Sequence, residues 1–351
     1  MMQRIGQEIR LKQYPMGMPT EDIFEIVQVK IPDLKDGEFL VRNIWMSVDP
    51  YMRGRMRSPE ETKSYIDSFQ LHRPLEGACV GQIIESKSDR FKKGEYVLGN
   101  FGWREYWIFR GEGGGGGNDI LKIDSTIAPI QSFLGVLGMP GLTAYVGLVK
   151  IGKLNEGRDT VFISAASGAV GSVACQIAKI KGCHVVGSAG SDEKVEWLLD
   201  EVKTDYAFNY KTEGGNNVSL DLKRGCPEGI DLYFDNVGGK QLEASIANMK
   251  TFGRIVLCGM ISQYNTTSPP VGPSNLFFAV TNRLRLEGFI VRDHYDMLDE
   301  FQSSMAKWIG EGRIKWKETI VEGLENAPRA FVGLFTGKNF GKMLVKIGSE
   351  V

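Results

Sequence analysis

Two different hydrophobic patterns divide the chain. Up to about residue 125, apolar residues fall in short runs separated by glycine- and proline-containing turns. These runs predict strands at Glu25–Ile31, Glu38–Trp45, Ala78–Glu85 and Tyr96–Gly99. Many short strands of this kind imply a β-rich, barrel-like module. From Phe133 onward, apolar strand-like runs alternate with amphipathic stretches, the signature of a parallel sheet with crossover helices. A strand ending near Phe162 leads to a helix over Val173–Lys181, then the strand His184–Ala189 and a helix from about Asp192 to Val202. Next come the strand Tyr206–Tyr210, a polar helix near 217–224, the strand Ile230–Asn236, a helix Lys240–Met249 and the strand Gly253–Gly259. A sixth strand, Leu284–Val291, completes a doubly wound α/β count, and a helix from about Tyr295 to Gly310 leads out of it. The tail reads as a strand near 314–322, a helix Asn326–Phe335 and a strand Gly341–Ile347, returning to the first module. The run Gly113–Gly117 reads as a flexible spacer without chemistry, because consecutive glycines have no side chains to pack.

The junction Phe162-Ile-Ser-Ala-Ala-Ser-Gly-Ala-Val-Gly-Ser172 carries the most specific chemistry. A strand, a tight turn and a helix point backbone N–H groups and the positive end of the helix dipole at a pyrophosphate. Gly168 and Gly171 occupy the second and third glycine positions of G-x-G-x-x-G, and Ala166 replaces the first. Together with Ala169 and Val170 they form the candidate diphosphate loop. At the end of the following strand, where an NAD site carries a carboxylate for the ribose, this chain has Gly187-Ser188-Ala189-Gly190-Ser191. Nothing acidic there repels a 2′-phosphate, so NADPH is favoured over NADH. Ser188 is a candidate contact. Lys194, in the first turn of the next helix, opposes the helix dipole unless an anion compensates it, and reads either as a phosphate ligand or as a solvated lysine beside Glu193 and Glu196. Tyr210 is placed to meet the adenosine-phosphate end or to serve in packing.

Composition excludes more than it identifies. The 351 residues are enough for two domains, and a formal net charge of −1 gives no reason for nucleic-acid or anionic-membrane binding. With no apolar run of about 18 residues and no leader-like N-terminus, the expectation is a cytosolic (cytoplasmic) protein with no membrane partner. The five cysteines lack C-x-x-C pairing and the three histidines are scattered, so no metal site and no Ser-His-Asp hydrolase is expected.

Six ordered segments, Val48–Met56, Gly138–Tyr145, Ala165–Gly171, Phe234–Gly239, Cys258–Asn265 and Gly337–Met343, resemble the zinc-free branch of the medium-chain dehydrogenase/reductases. That branch contains the leukotriene B4 dehydrogenase/prostaglandin reductases, the plant alkenal double-bond reductases and bacterial curcumin reductase. The resemblance spans essentially the whole chain. It implies a GroES-like β-barrel domain over residues 1–126, completed by 315–351, and a Rossmann NADP-binding domain over 127–314. Val48-Asp-Pro-Tyr51 stands where alcohol dehydrogenases place a catalytic Cys and neighbouring His, and their four-cysteine lobe is missing. The implied activity is 2-alkenal/enone reduction with NADPH, by hydride transfer to the β-carbon and protonation of the resulting enolate at the α-carbon. A homodimer joined at the sixth-strand edge is implied as well.

Site residues follow the resemblance position by position. Tyr264, in the G-M-I-S-Q-Y-N loop, is either the donor to the enolate oxygen or an aromatic lining the pocket. Tyr51 and Arg53 are candidate substrate-pocket residues, with structural roles as the alternative. Thr143 is expected near the nicotinamide carboxamide or as a helix cap, Asn236 at the ribose or diphosphate, and Cys258 and Gly259 near the nicotinamide through their backbone. Phe289 is expected at the nicotinamide end or in the core, and Asn339 as a contact to the diphosphate region. The proline-rich Ser262–Pro273 reads as a lid or an ordinary surface connection. A quinone reductase of the same superfamily and a non-catalytic NADPH-binding protein remain the alternative readings.

Overall fold

The computed structural model describes residues 4–60, 64–110, 120–211 and 217–349; the Gly113–Gly117 run lies outside the described residues. The chain forms two units, one of Met1–Leu134, Glu318–Asn339 and Met343–Val351, the other of Gly135–Lys317 and Phe340–Lys342.

The first unit opens with β1 (Ile5–Leu11) and β2 (Phe24–Lys30), which pair antiparallel. There follow β3 (Phe39–Ser47), a one-turn helix α1 (Met52–Arg55), β4 (Cys79–Ser86), β5 (Tyr96–Gly99), β6 (Tyr106–Phe109) and β7 (Leu121–Lys122). The long β3 pairs with both β4 and β6, and its register with β4 shifts between Leu40 and Val41 and again between Asn43 and Trp45. Such bulges increase local twist and let a sheet curl around its own apolar face. Inside lies a cluster that includes Ile9, Phe39, Met46, Trp103 and Phe331, all buried, with Trp103 stacked on Phe24 at 5.7 Å.

The second unit begins with α2 (Met139–Val146), started by Gly138 with Pro140 in its first turn and continued by a π-helical turn over Gly147–Ile151. Then come β8 (Thr160–Ile163), α3 (Gly171–Ile180), β9 (His184–Ala189), α4 (Asp192–Asp200) and β10 (Tyr206–Asn209). They are followed by α5 (Val218–Gly225), β11 (Ile230–Asp235), α6 (Gly239–Asn248), β12 (Met249–Leu257), α7 (Phe277–Thr281), β13 (Arg285–Gly288) and α8 (Leu298–Gly310). The sheet order is β10-β9-β8-β11-β12-β13, parallel throughout, with the strand order reversing between β8 and β11. Central strands of a parallel sheet are covered on both faces; accordingly Val161–Ile163 and Leu232–Phe234 have no exposed surface.

Two expected boundaries move for local reasons. The strand expected at Gly253 begins at Met249, because the chain passes through an irregular stretch in which Phe252 has a φ of 63° and the β11–β12 register shifts. The helix expected from Tyr295 begins at Leu298; a 3₁₀ segment Val291–Met297 precedes it, and His294 (φ −129°, ψ 26°) breaks the helical path. The tail adds β14 (Glu318–Glu322), α9 (Ala327–Thr336) and β15 (Lys342–Lys346), and β15 pairs with β3 to extend the first unit's sheet in the order β14-β15-β3-β4-β5-β7.

One ion pair ties β12 to the residue that precedes β8, across the intervening β11. Arg254 Nη2 lies 2.7 Å from Asp159 Oδ2, and Arg254 Nη1 donates to the carbonyls of Lys153 (2.7 Å) and Gly152 (3.2 Å). Arg254→Met removes the cation from a buried carboxylate that keeps only its Asn155 donors, and is expected to cost roughly 3 kcal/mol, read as an earlier urea midpoint. Unfolding at the wild-type midpoint would show that the pair carries no stability.

Candidate functional site

The loop between β8 and α3 is shaped by what its residues lack. A Cβ on Gly171 would stand 2.3 Å from the Ala165 carbonyl oxygen and 2.9 Å from Ala166 Cα, so only glycine fits. Gly168 is less constrained, with 3.2 Å to the same oxygen, to which its own N–H donates at 3.0 Å. Ala165 takes the left-handed φ of 48° that the turn requires. Alanine at position 166 is accommodated from the neighbouring strand: a Cβ on Gly187 would stand 2.9 Å from Ala166 Cβ, and the Ala166 N–H donates to the Ser188 carbonyl at 2.8 Å. Ala169 and Val170 lead directly into α3, whose first N–H groups have no partner within their own helix. The cradle therefore fits a diphosphate.

The C-terminal motif joins this loop. Gly168 and Gly341 form a parallel bridge, and the Gly341 N–H donates to the Ser167 carbonyl at 3.0 Å. Gly341 has a φ of 67°, and a Cβ there would fall 1.8 Å from the Lys317 carbonyl oxygen. Phe340 packs edge-on against Trp197 of α4, and Asn339 immediately precedes this segment.

At the ends of β9 and β10 the expected residues divide. Ser188 is fully buried and donates its hydroxyl hydrogen to Gln241 Oε1 at 2.7 Å; its side chain supports the sheet from inside. Lys194 stands in the first turn of α4, where the Ser191 hydroxyl caps the Lys194 N–H. Burial, together with the charge of Lys211, pulls the Lys194 ammonium below its ordinary value, while Glu193 acts the other way. Tyr210 is half-buried, its phenol raised by burial, and its hydroxyl lies 3.3 Å from where a Gly190 side chain would begin. Lys211 was not expected here; its position next to Tyr210 was the one available signal.

The ends of β11 and β12 carry a buried network that sequence reasoning missed. Asp235 Oδ1 accepts from the Tyr233 hydroxyl (2.6 Å), the Val237 and Gly238 N–H groups (2.9 and 2.8 Å) and the Ser164 hydroxyl (3.3 Å). Burial nevertheless raises the Asp235 carboxyl, the donors pulling the other way. Ser164 in turn accepts from the Asn236 N–H and, through its carbonyl, from Asn236 Nδ2. Asn236 is thereby fixed beside the glycine loop. The Cys258 and Gly259 N–H groups donate to the Asp235 carbonyl, and burial with the nearby Asp235 charge pushes the Cys258 thiol up to about 12. Tyr264 curls back over this strand end, its hydroxyl 3.1 Å from a Cβ position on Gly259 and accepting a long bond from the Met260 N–H at 3.4 Å.

The remaining candidates are placed as follows. Thr143 sits one turn inside α2, not at its cap, and its hydroxyl donates to the Met139 carbonyl at 2.7 Å. Phe289 packs toward Gly147 at the start of the π-helical turn and tilts against His294. In the first unit, Tyr51 precedes α1 and packs on the core, and Arg53 is buried, donating through Nη2 to the carbonyls of Gly17 (2.8 Å) and Pro15 (3.3 Å). Burial, helped by Arg57, lowers the Arg53 guanidinium to about 10. This bonding makes Arg53 a brace for the Pro15–Gly17 turn. Ser262 begins the proline-rich segment, bonded to the Val237 carbonyl. Among the described residues, no group of three or more His, Cys, Asp or Glu side chains could hold a metal ion.

Comparison with known proteins gives two family matches: residues 7–114 match the N-terminal domain of oxidoreductase, and residues 169–309 match a family described as zinc-binding dehydrogenase. The chain is 44% identical to the NADP(+)-dependent 2-alkenal reductase of Nicotiana tabacum over 349 residues, 98% of each chain. It is 43% identical to prostaglandin reductase 1 of Bos taurus, covering 96% of this chain and 97% of that protein. The crystal structure of CurA from Vibrio vulnificus in complex with NADPH superimposes with a TM-score of 0.89 at 41% identity, covering 98% of this chain and 99% of that one.

The loop geometry ranks its glycines. Gly171→Ala must displace backbone, whereas Gly168→Ala asks for a few tenths of an ångström. The first is expected to weaken dinucleotide binding at least about tenfold, a loss of some 1.4 kcal/mol, and the second by much less, both read by fluorescence titration. Equal effects would contradict the cradle.

Proposed function

We propose, from the premise that this chain belongs to the zinc-independent medium-chain dehydrogenase/reductase family, that it is an NADP-dependent oxidoreductase reducing the carbon–carbon double bond of α,β-unsaturated aldehydes and ketones. The single observation that carries the reading is the convergence of the glycine cradle, Asn236 and Tyr264 at the carboxyl ends of adjacent strands, around the reversal of strand order where open α/β sheets bind ligands.

When bound, NADPH supplies the hydride that the β-carbon of the substrate accepts. The chain's own residues do the rest. Gly168, Ala169, Val170 and Gly171 present the amino end of α3 to the diphosphate, and Ala166 lets the turn close against Gly187. Lys194 and Tyr210 hold the 2′-phosphate, giving NADPH its advantage over NADH. Asn236, Cys258 and Gly259 line the strand ends through a backbone that Asp235 fixes from below; Thr143, Phe289 and Asn339 complete the cofactor's surroundings. As hydride reaches the β-carbon, negative charge moves to the carbonyl oxygen, and Tyr264 donates a hydrogen bond to this enolate. The Met260 N–H, by donating to the phenolic oxygen, strengthens the phenol as a donor. The α-carbon then takes up a proton from water, which leaves hydroxide to the solvent, completing the reduction. Tyr51 contributes to the substrate pocket, and Ser262–Pro273 acts as a lid that excludes water.

The protein acts in the cytoplasm as a homodimer. Among the described residues no helix is long and apolar enough to cross a membrane. The edge strand β13 pairs only with β12 in its sheet, and near it Phe252, Phe277 and Val280 are 69%, 71% and 69% exposed. An apolar cluster of this size on a sheet edge favours burial against a second copy.

Three measurements follow. Tyr264→Phe is expected to lower kcat on a conjugated enone by about 10²-fold while the NADPH Kd stays within about threefold; equal losses in both would make Tyr264 a shaper of the pocket. In the wild type, preference for a quinone over the enone, or NADPH binding without oxidation across enones, would overturn the assignment. Phe277→Glu is expected to shift sedimentation from dimer toward monomer, and an unchanged dimer would place the interface elsewhere.

A further inference from the structure

Resting on the NADPH reading, we propose that Lys211 is a further specificity-determining residue, whose ammonium joins Lys194 and Tyr210 as a third ligand to the cofactor's 2′-phosphate. Three observations converge on one point of the surface. A side chain starting at Gly190 would meet the Tyr210 hydroxyl at 3.3 Å, Lys211 Cε at 3.4 Å and Lys211 Nζ at 3.5 Å. The glycine therefore opens a space into which a phenol and an ammonium already point. Lys194 stands in the first turn of α4, directly after β9 and Gly190, and the Lys211 charge acts on its ammonium. Two ammonium groups brought together repel one another, and a dianionic phosphate between them converts that repulsion into attraction.

The backbone fixes Lys211 in place. Its N–H donates to Asn209 Oδ1 at 2.9 Å, and Asn209 Nδ2 donates to Asp192 Oδ1 at 2.8 Å, so β10 is tied to the first turn of α4. Lys211 also stands 5.7 Å from the centroid of the Tyr210 ring. A lysine acting through this ring alone would steady Tyr210 without touching phosphate, and the titrations below separate the two roles.

The test is a pair of titrations, NADPH and NADH, on the wild type, Lys211→Gln, Tyr210→Leu and the double variant. Lys211→Gln is expected to raise the NADPH Kd about five- to tenfold and to leave the NADH Kd within about twofold. It is also expected to reduce the slope of log Kd against log salt for NADPH. In the Tyr210→Leu background the Lys211 loss should persist, because a direct ligand does not need the ring. If the loss vanishes there, Lys211 acts only through Tyr210 and the proposal fails. Equal losses for both cofactors, or none, overturn it too. A wild type that shows no preference for NADPH would instead remove the reading on which the proposal rests, an outcome separable from the others because it needs no variant.

Discussion

The structure depends on one steric constraint, the absence of a side chain at Gly171. With the Ala165 carbonyl oxygen 2.3 Å from where a Cβ would sit, the turn of residues 164–170 can fold back against the first residue of α3 only because that residue is glycine. That close turn sets the helix's amino end against the carboxyl ends of β8 and β11, between which the strand order reverses. The residues proposed for the cofactor are arranged around it: Asn236 after β11, Lys194 and Tyr210 after β9 and β10, while Gly341 bridges Gly168 from the C-terminal segment. The loop is braced three ways, by Ala166 to Ser188, by Gly168 to Ala165 and by Ser167 to Gly341.

Beneath this surface the polar groups hold positions. Asp235 gathers donors from Tyr233, Ser164 and two backbone amides, and its own carbonyl receives the Cys258 and Gly259 N–H groups. A buried carboxyl raised by desolvation is kept because it orders two strand ends at once. The ends of β11 and β12 are thereby tied together, and Tyr264 follows the second of them, its hydroxyl accepting from the Met260 N–H at 3.4 Å. Cys258, its thiol pushed up to about 12 by burial and the Asp235 charge, is no ready nucleophile.

Much of this was legible in the chain. The strand–glycine–helix junction, the strand His184–Ala189 and the order of alternating elements follow from periodicity and glycine spacing, because they depend on contacts close in sequence. Long-range contacts were not legible. Ser188 has the residue type and position of a cofactor contact but turns inward to Gln241, a partner on α6 that no local pattern indicates. Thr143 bonds its own helix, and Arg53 braces a turn 36 residues away. The strands β1, β6 and β7 escaped notice because two are short and the third carries charged residues along its length, so pairing rather than pattern defines them. The role of Gly341 appears only when its neighbour Lys317 is brought beside it.

The most direct test is a crystal structure of the protein grown with NADP+. The diphosphate is expected against the amino end of α3, within hydrogen-bond reach of the Ala169–Gly171 backbone, and the 2′-phosphate beside Lys194 at the Gly190 gap. A dinucleotide bound elsewhere, or one whose 2′-phosphate points into solvent away from Lys194, would contradict this placement.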